Sequence, residues 1–213
     1  QTGICPAREA VVMQQQNRGV LNVTADEVFI GNGVSELIDL SLRALLNPGD
    51  EVLVPSPDYP LWTAAVTLNG GVARHYECPV DNGFVPRAAD IEKLISDKTK
   101  GIVVINPNNP SGAVYGRETL SEIVTLAEKH KLVLLADEIY DQMFYDDAEF
   151  VPMATLIENA VCLTYSGLSK VYRDCGYRVG WCSFSGDVEQ AADYIHGMEM
   201  LAALRLCANV PGQ

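Results

Sequence analysis

The chain has 213 residues, of which 48% are hydrophobic and 20% charged, and this composition indicates a globular protein with a sizeable core. Its formal net charge of −13 argues against non-specific binding to nucleic acid or to an anionic membrane. We see no signal-peptide pattern and no run of about 18 apolar residues, so we expect neither a secretory signal nor a membrane span. The six cysteines lack CxxC and metal-ligand spacing, so we expect no metal site and a reducing, cytoplasmic compartment.

Helical and strand patterns alternate along the chain. The predicted strands cover residues 28–30, 52–54, 72–76, 101–105, 132–135, 161–165 and 177–184. The predicted helices cover residues 6–18, 36–46, 61–68, part of 86–95, 119–131 and 187–206. Because several strands are apolar throughout, we expect an α/β fold in which helices cover both faces of a mostly parallel sheet of about seven strands. The sequence shows no internal repeat or linker, so residues 1–213 are interpreted as one domain.

Several residues of chemical interest follow strands, and ligands bind at the carboxyl ends of the strands in sheets of this kind. Gly33-Val34-Ser35 opens a helix after the first strand, so its N–H groups and the helix dipole can hold a phosphate. The alternative is an ordinary helix cap by Ser35. Tyr59 can stack on an aromatic ring or be an ordinary packed or surface tyrosine. Asn109 lies in a proline-bounded loop, where asparagine is common for backbone reasons.

Asp137 directly follows the apolar segment 132–136, so we expect it to be buried, and a buried carboxylate needs a partner. A protonated ring nitrogen would serve as that partner, as would an arginine or a helix N-terminus of the fold. Tyr140 lies shortly after Asp137 and could donate its hydroxyl to the same ligand, whereas Glu138 is expected to point away.

Lys170 closes the segment Ser166–Lys170 that follows the sixth predicted strand. We expect this position to shield the lysine from bulk water, which lowers a lysine's pKa and makes the neutral amine a nucleophile that can form a Schiff base. Arg178 follows a short distance later and stays cationic, which suits a phosphate group. Together the two residues indicate an imine-forming lysine beside a phosphate-bearing cofactor. The alternative is a pair of surface side chains in a loop.

Five segments of the sequence, taken in order, resemble the fold-type I pyridoxal-phosphate aminotransferases of class I and II. They are GNGVSELI, PDYPLW, NPNNPSG, ADEIYD and SGLSK followed by GYRVGW. The match extends over essentially the whole chain, and PDYPLWTAAV and RLCANVP are most similar to the glutamate–pyruvate (alanine) branch of bacteria. The resemblance implies a homodimer that uses pyridoxal 5'-phosphate. It would transfer an amino group between an amino acid, alanine or glutamate, and a 2-oxo acid, pyruvate or 2-oxoglutarate.

The resemblance also implies a role for each matching residue. Lys170 would form the Schiff base with the cofactor and later move the proton between the substrate Cα and the cofactor. Asp137 would keep the pyridinium nitrogen protonated, so that the ring acts as an electron sink. Tyr140 and Asn109 would bind the ring 3-oxygen, and Asn109 would also reach the substrate carboxylate. Tyr59 would stack on the ring. The phosphate would be bound by Gly33, Val34, Ser35, Ser169 and Arg178.

The chain departs from the family pattern in two respects. Gly167 stands where many relatives carry a phosphate-binding serine, and Ser166 is one position earlier. No counterpart is seen for the small domain, which supplies the arginine for the substrate carboxylate, or for the N-terminal segment, whose tyrosine reaches the phosphate of the neighbouring subunit. We therefore expect residues 1–213 to be the cofactor-binding large domain alone, with feeble activity or none by itself.

Three other functions remain open at this point. A different reaction of the same fold, such as that of a β-lyase or a decarboxylase, would depend on residues outside the matching segments. A non-catalytic cofactor-binding domain of a regulator would need a fused DNA-binding region, and no basic helix is visible. The third is a folding unit with an empty site, which an absorbance measurement after addition of the cofactor would distinguish from a binding protein.

Overall fold

Seven strands form a single sheet in the computed structural model, which describes residues 1–213. The strands are β1 (Val28–Gly31), β2 (Glu51–Ser56), β3 (Val72–Glu77), β4 (Thr99–Ile105), β5 (Val133–Asp137), β6 (Val161–Gly167) and β7 (Gly180–Gly186). Each corresponds to a strand predicted from the sequence, and the α/β class is confirmed. Their order across the sheet is β1-β7-β6-β5-β4-β2-β3.

The sheet is parallel except around one strand. β2 to β6 pair in parallel, whereas β7 runs antiparallel to both of its neighbours, β6 and β1. Because β7 is reversed, its first residue lies where β6 and β1 end, and Gly180 pairs with Gly167 on one side and with Gly31 on the other. The segment that precedes β7 therefore reaches the edge of the sheet at which the parallel strands terminate.

Six α-helices accompany the sheet. They are α1 (Cys5–Asn17), α2 (Val34–Leu45), α3 (Pro60–Leu68), α4 (Ala88–Glu92), α5 (Arg117–His130) and α6 (Ala192–Leu204). α2, α3 and α6 pack on one face, and α4 and α5 pack on the other. α1 packs beside β1 and β7 at the outer edge. None of the helices is both long and apolar enough to cross a membrane.

The core lies in two layers, one on each face of the sheet, with 21 buried residues in the first and 19 in the second. Successive residues of one strand alternate between them: Val103 and Ile105 of β4 belong to the first layer, and Ile102 and Val104 to the second. Each such side chain contributes about 1.5–3 kcal/mol by leaving water. Burial on both faces explains why these strands read as continuous apolar runs.

Two elements begin three or more residues later than the sequence predicts. The last helix begins at Ala192, because Gln190 N donates to Asp187 Oδ1 at 3.0 Å and closes a turn ahead of the helix. The last strand begins at Gly180, because Arg178 has a φ of 52° and this left-handed conformation interrupts an extended strand. The second difference matters for the site, because it places Arg178 in a turn at the edge of the sheet.

Candidate active site

Residues of chemical interest converge at one edge of the sheet. Tyr59 lies beyond β2, Asn109 beyond β4, Asp137 at the end of β5 and Lys170 beyond β6. Arg178 precedes β7, and the reversed direction of that strand brings it to the same edge. The order and direction of the strands, rather than nearness in sequence, therefore assemble this site.

A pocket with a volume of about 180 Å³ opens at this edge. Nine of the ten residues predicted to bind the cofactor line it: Val34, Ser35, Tyr59, Asn109, Asp137, Tyr140, Ser169, Lys170 and Arg178. The tenth, Gly33, lies against the Arg178 guanidinium, since a Cβ atom built on Gly33 would lie 3.0 Å from Arg178 Cζ. The wall also includes five residues that the sequence did not single out, Ile38, Leu61, Ile105, Ile139 and Cys175. Four of these are apolar, and the sequence alone does not show whether an apolar side chain faces a pocket or the core.

The N-terminus of α2 forms one end of the pocket. Gly33 precedes the helix with φ 85° and ψ 162°, a conformation that only glycine adopts readily. No side chain caps the helix, so the alternative interpretation of Ser35 as a helix cap is wrong. The first N–H groups of α2 are therefore available to a ligand, and the positive end of the helix dipole lies beside them. This end of the pocket suits an anion.

The acidic residue in the first turn of α2 does not oppose an anion there. Glu36 accepts a hydrogen bond from Asn32 N at 2.7 Å and pairs with Arg205 Nη1 at 2.9 Å. Arg205, the residue after α6, also donates to Ile30 O at 2.7 Å. Its side chain therefore connects the end of α6 to the start of α2. The Glu36 charge is thus neutralised by a partner that does not line the pocket.

Arg178 supplies a cation at the same end. Its left-handed backbone conformation directs the exposed side chain over Gly33, and Nη1 donates to Cys175 O at 3.0 Å. Gly180 allows the first turn of α2 to approach β7 closely, because a Cβ atom there would lie 2.5 Å from Val34 N. A guanidinium and the N–H groups of a helix therefore face the same position, as phosphate binding requires.

Gly167 is explained by a close backbone approach. A Cβ atom at this position would lie 2.8 Å from Val179 O, so a side chain would force β6 and the residue before β7 apart. Ser166 does not replace the serine that many relatives carry, because it is 2% exposed within β6 and is not part of the pocket wall. Among the predicted serines, Ser35 and Ser169 are those that line the pocket.

Asp137 also lines the pocket and is 4% exposed, as predicted. Its Oδ2 accepts a hydrogen bond from Trp62 Nε1 at 3.0 Å, and Ile139 N approaches Oδ1 at 3.4 Å. Burial raises the pKa of the Asp137 carboxyl, although the Trp62 hydrogen bond and the Lys170 ammonium oppose the rise. The partner within the chain is thus an indole, and neither an arginine nor a helix N-terminus provides it.

Trp62 was missed by the sequence analysis. It is fully buried in α3, and its ring meets the Tyr165 ring edge-on, with 5.4 Å between the ring centroids. The Tyr165 hydroxyl lies 2.6 Å from Ser41 Oγ, which in turn donates to Ile38 O at 3.0 Å. A buried indole N–H needs an acceptor, and this is the only feature of the sequence that could have drawn attention to Trp62. The sequence does not show which acceptor lies near it.

Lys170 is exposed in this chain, so the expectation that it is shielded from bulk water is wrong. The strand before it ends at Gly167, and the lysine lies in the turn above the pocket rather than inside the sheet. Its Nζ atom lies 5.9 Å from the centroid of the Tyr140 ring. Lys170 therefore lies at the pocket, as predicted. Because its side chain is exposed, burial cannot explain its reactivity in the way the sequence suggested.

Three further predicted residues surround the middle of the pocket. Asn109 Nδ2 lies 3.5 Å from the Tyr140 hydroxyl, which places both side chains on one side. Both also border a second hollow of about 550 Å³, whose wall includes Met143 and Phe144. Tyr59 directly precedes α3, lines the same pocket and is 40% exposed, so part of its side chain is accessible to a ligand.

Glu138 points away from the pocket, as predicted, and enters a buried group of charges. Its Oε1 accepts a hydrogen bond from Met153 N at 2.8 Å, and burial raises its pKa to about 7. Arg18, which follows α1, forms an ion pair with Asp141 and lies close enough to lower the Glu138 pKa in part. The ion pair between Arg18 and Asp141 therefore connects the end of α1 to the segment that follows β5.

The arrangement combines an anion site, an apolar wall, a buried carboxylate and a free amine in one pocket. These features match a flat ligand that carries a phosphate at one end and a basic ring nitrogen at the other. The structure brings together no group of three or more His, Cys, Asp or Glu side chains that could hold a metal ion.

Comparison with known proteins gives a consistent family match. The family model described as "Aminotransferase class I and II" matches residues 7–205. The chain is 53% identical over 211 residues to "Glutamate-pyruvate aminotransferase AlaA" of Escherichia coli K12, covering 99% of this chain and 52% of that protein. It is 52% identical over 212 residues to "Alanine aminotransferase" of Mycobacterium tuberculosis H37Rv, covering 99% of this chain and 49% of that protein.

The fold agrees with a solved structure of the same kind. The crystal structure of an aminotransferase from Escherichia coli superposes with a TM-score of 0.97 at 52% identity, over 99% of this chain and 52% of that one. The chain thus spans about half the length of the relatives that it matches.

Proposed function

The chain belongs to the aminotransferase class I and II family, and on this basis we propose that it binds pyridoxal 5'-phosphate and serves transamination between an amino acid and a 2-oxo acid. The proposed pairs are alanine with pyruvate and glutamate with 2-oxoglutarate, by analogy with the names of its relatives in Escherichia coli and Mycobacterium tuberculosis. The observation that carries the proposal is the single pocket in which an anion site, Asp137 and Lys170 meet.

The pocket offers partners for both the phosphate group and the ring nitrogen of the cofactor. The uncapped N-terminus of α2, Ser169 and Arg178 would hold the phosphate through N–H groups, a hydroxyl and a guanidinium. Asp137 would hold the ring nitrogen, because a carboxylate that burial disfavours gains from a cationic partner. Tyr59 would cover one face of the ring with its exposed side chain.

When bound, pyridoxal phosphate supplies an aldehyde that receives the amino group and a ring that accepts the electron pair left at the substrate Cα. Lys170 would bind the aldehyde covalently and, once released, would move the proton from Cα. Its exposed amine beside the pocket leaves it free for both tasks. Asp137 would keep a proton on the ring nitrogen, and Tyr140 with Asn109 would donate hydrogen bonds to the ring oxygen.

We propose that the amino acid approaches from the side of the second hollow. Asn109 and Tyr140 lie between the two hollows, so a substrate carboxylate bound by Asn109 would lie next to Lys170. This position also agrees with the role that the family resemblance gives to Asn109. The wall of the second hollow includes Met143 and Phe144, which provide apolar surface near the substrate.

Cofactor binding is the first test of the proposal. Adding pyridoxal phosphate to the purified chain should produce a yellow absorbance band, and borohydride reduction should fix the label on Lys170 in a peptide map. Pyridoxal without the phosphate is the matched control, and it should bind at least about tenfold more weakly because the anion site goes unused. Absence of the band at saturating cofactor would contradict the proposal for this chain.

The half-reaction is the second test. The cofactor-loaded chain is mixed with L-alanine or L-glutamate, and the 2-oxo acid is measured with a coupled dehydrogenase. Transamination yields the 2-oxo acid without free ammonia. A β-lyase would form no 2-oxo acid from these two amino acids, because neither carries a leaving group on Cβ, and a decarboxylase would release carbon dioxide. If the chain alone reacts too slowly, the same assay is applied to a chimera in which it replaces the matching half of the E. coli relative. A chimera that binds the cofactor but forms no pyruvate from alanine would contradict the proposed substrates.

We further propose a homodimer in a reducing, cytoplasmic compartment. All six cysteines are free, three of them exposed, which supports a reducing environment. Tyr172 and Tyr177, next to Lys170 and Arg178, are 46% and 59% exposed, and a second subunit could cover them. Light scattering with and without cofactor tests the assembly, and a monomer under both conditions would contradict it.

A further inference from the structure

One contact of the site is made by a residue outside the pocket. Trp62 does not line the pocket, yet its Nε1 lies 3.0 Å from Asp137 Oδ2. An indole N–H can only donate a hydrogen bond, so the oxygen that it meets must act as an acceptor. The other oxygen of Asp137 has only the longer contact of 3.4 Å to Ile139 N. The two oxygens of this carboxyl group are therefore not equivalent.

Trp62 is itself held in place. It is fully buried, and its ring packs edge-on against Tyr165, whose hydroxyl lies 2.6 Å from Ser41 Oγ. Tyr194 of α6 donates to Ser41 O at 3.0 Å, so this helix also supports the group. A buried donor packed against a ring that is itself hydrogen-bonded fixes its acceptor more firmly than an exposed side chain could.

We infer that Trp62 is a positioning residue: its indole N–H holds one oxygen of Asp137 as an acceptor and leaves the other oxygen to meet the cofactor's ring nitrogen. The inference rests on the proposed function for its second part, because only a bound ring uses the free oxygen. Its first part concerns this chain alone. The hydrogen bond also favours the ionised carboxylate, which burial opposes.

The chain offers a matched control for Trp62. It has only two tryptophans, and the other, Trp181 of β7, is 6% exposed with an Nε1 that has no hydrogen-bond partner. Both indoles are therefore buried, but only one meets a carboxylate. The same substitution at the two positions separates the loss of a hydrogen bond from the loss of a buried ring.

The first experiment follows the two indole N–H resonances of the cofactor-free chain by NMR as pH is varied. The Trp62 signal should titrate together with the Asp137 carboxyl carbon, while the Trp181 signal should not. Groups that also act on Asp137 or respond to it are Lys170, Glu138 and Tyr165. A Glu138→Gln variant removes the titration of the acid that follows Asp137 in the sequence, and the Trp62 signal should still follow Asp137. An indole resonance that ignores the Asp137 titration would overturn the inference, and this measurement needs no variant of Trp62.

The second experiment measures cofactor affinity in two variants. Trp62→Phe should bind pyridoxal phosphate at least about tenfold more weakly, since a hydrogen bond to a charged group is lost. It should also move the Asp137 titration to higher pH in the cofactor-free chain. Trp181→Phe should change neither quantity. Equal affinity in Trp62→Phe and the unmodified chain would overturn the cofactor part of the inference. If the unmodified chain binds no cofactor, the proposed function fails, while the NMR titration still decides the role of Trp62.

Discussion

The guanidinium of Arg178 lies directly over Gly33, so that any side chain at Gly33 would displace it. The two residues are far apart in sequence, and each has a positive φ, 52° for the arginine and 85° for the glycine. The positive φ strains the backbone of the arginine, whereas a glycine adopts it without steric cost. The arrangement brings a cation and the bare start of a helix to one point, where the phosphate is proposed to bind.

Gly33→Ala should therefore weaken cofactor binding as well as the fold. The new methyl group enters a conformation reserved for glycine, at a cost of about 1–3 kcal/mol, and pushes the Arg178 guanidinium aside. Urea unfolding measures the first effect, and titration with pyridoxal phosphate measures the second. Gly49→Ala is the control, because Gly49 has a φ of 86° with nothing within 4 Å of its Cβ position. It should lose stability only, and a Gly33→Ala variant of undiminished affinity would show that the phosphate binds elsewhere.

Lys170→Ala should abolish the yellow band and the borohydride-fixed label, yet leave measurable cofactor binding. The reason is that the proposed phosphate and ring contacts come from other residues, which the substitution does not touch. Equilibrium dialysis detects the remaining, non-covalent binding. Lys98→Ala, which removes an exposed lysine outside the pocket, should behave like the unmodified chain. A persistent, reducible adduct in Lys170→Ala would assign the Schiff base to another lysine.

Asp137→Asn should affect stability and binding in opposite directions. Burial raises the pKa of this carboxyl, so its contribution to stability is lost as pH rises through the folded-state pKa, and the charged form costs free energy at neutral pH. The neutral amide removes that cost and can still accept from Trp62 Nε1. In urea unfolding at pH 8, we expect the midpoint urea concentration of the variant to be unchanged or higher. In titration with pyridoxal phosphate, we expect its cofactor affinity to be at least about tenfold weaker. A large loss of stability in this variant would refute the account of Asp137 as a residue kept for binding.

Glu138→Gln should change the pH dependence of stability. The folded-state pKa is about 7, above the ordinary value of 4.5, so the stabilising contribution of the protonated form is fully present below 4.5 and is lost as pH rises to 7. The charged form then costs of the order of 3 kcal/mol at pH 8. Glu138→Gln should therefore gain stability relative to the unmodified chain across this window, as measured by urea unfolding at several pH values. Glu122→Gln, at an exposed position of α5, should follow the unmodified chain throughout. Parallel pH curves for Glu138→Gln and the unmodified chain would contradict the assignment.

Local patterns in the sequence predict the seven strands, because strands buried on both faces leave apolar runs that are easy to recognise. They also single out most of the residues that line the pocket, since polar side chains directly after such strands share one edge of a parallel sheet, whereas Ser169 was implied by the family resemblance alone. The reversed direction of β7 is not visible in this way, because it depends on pairings with β6 and β1 that are distant in sequence.

Two errors at the site have physical causes. Lys170 was expected to be shielded because the preceding strand is buried, but exposure depends on how far the turn carries the side chain beyond Gly167. Trp62 was overlooked because its acceptor lies 75 residues away in β5. The pairing of a donor on a helix with an acceptor on a distant strand depends on packing, and no local pattern reports it.

The position of β1 has a consequence for the order in which the molecule can be completed during synthesis. β1 precedes the other six strands of this sheet along the chain but pairs only with β7, the seventh. Until β7 has emerged, the nascent chain carries β1 with no partner strand, and no pairing of β1 with β7 holds Arg178 beside the turn at Gly33. Affinity for a phosphate would thus appear in a single step, when β7 pairs with β1. An arrested nascent chain that ends before β7 should not retain the cofactor, whereas one that exposes the whole of β7 should.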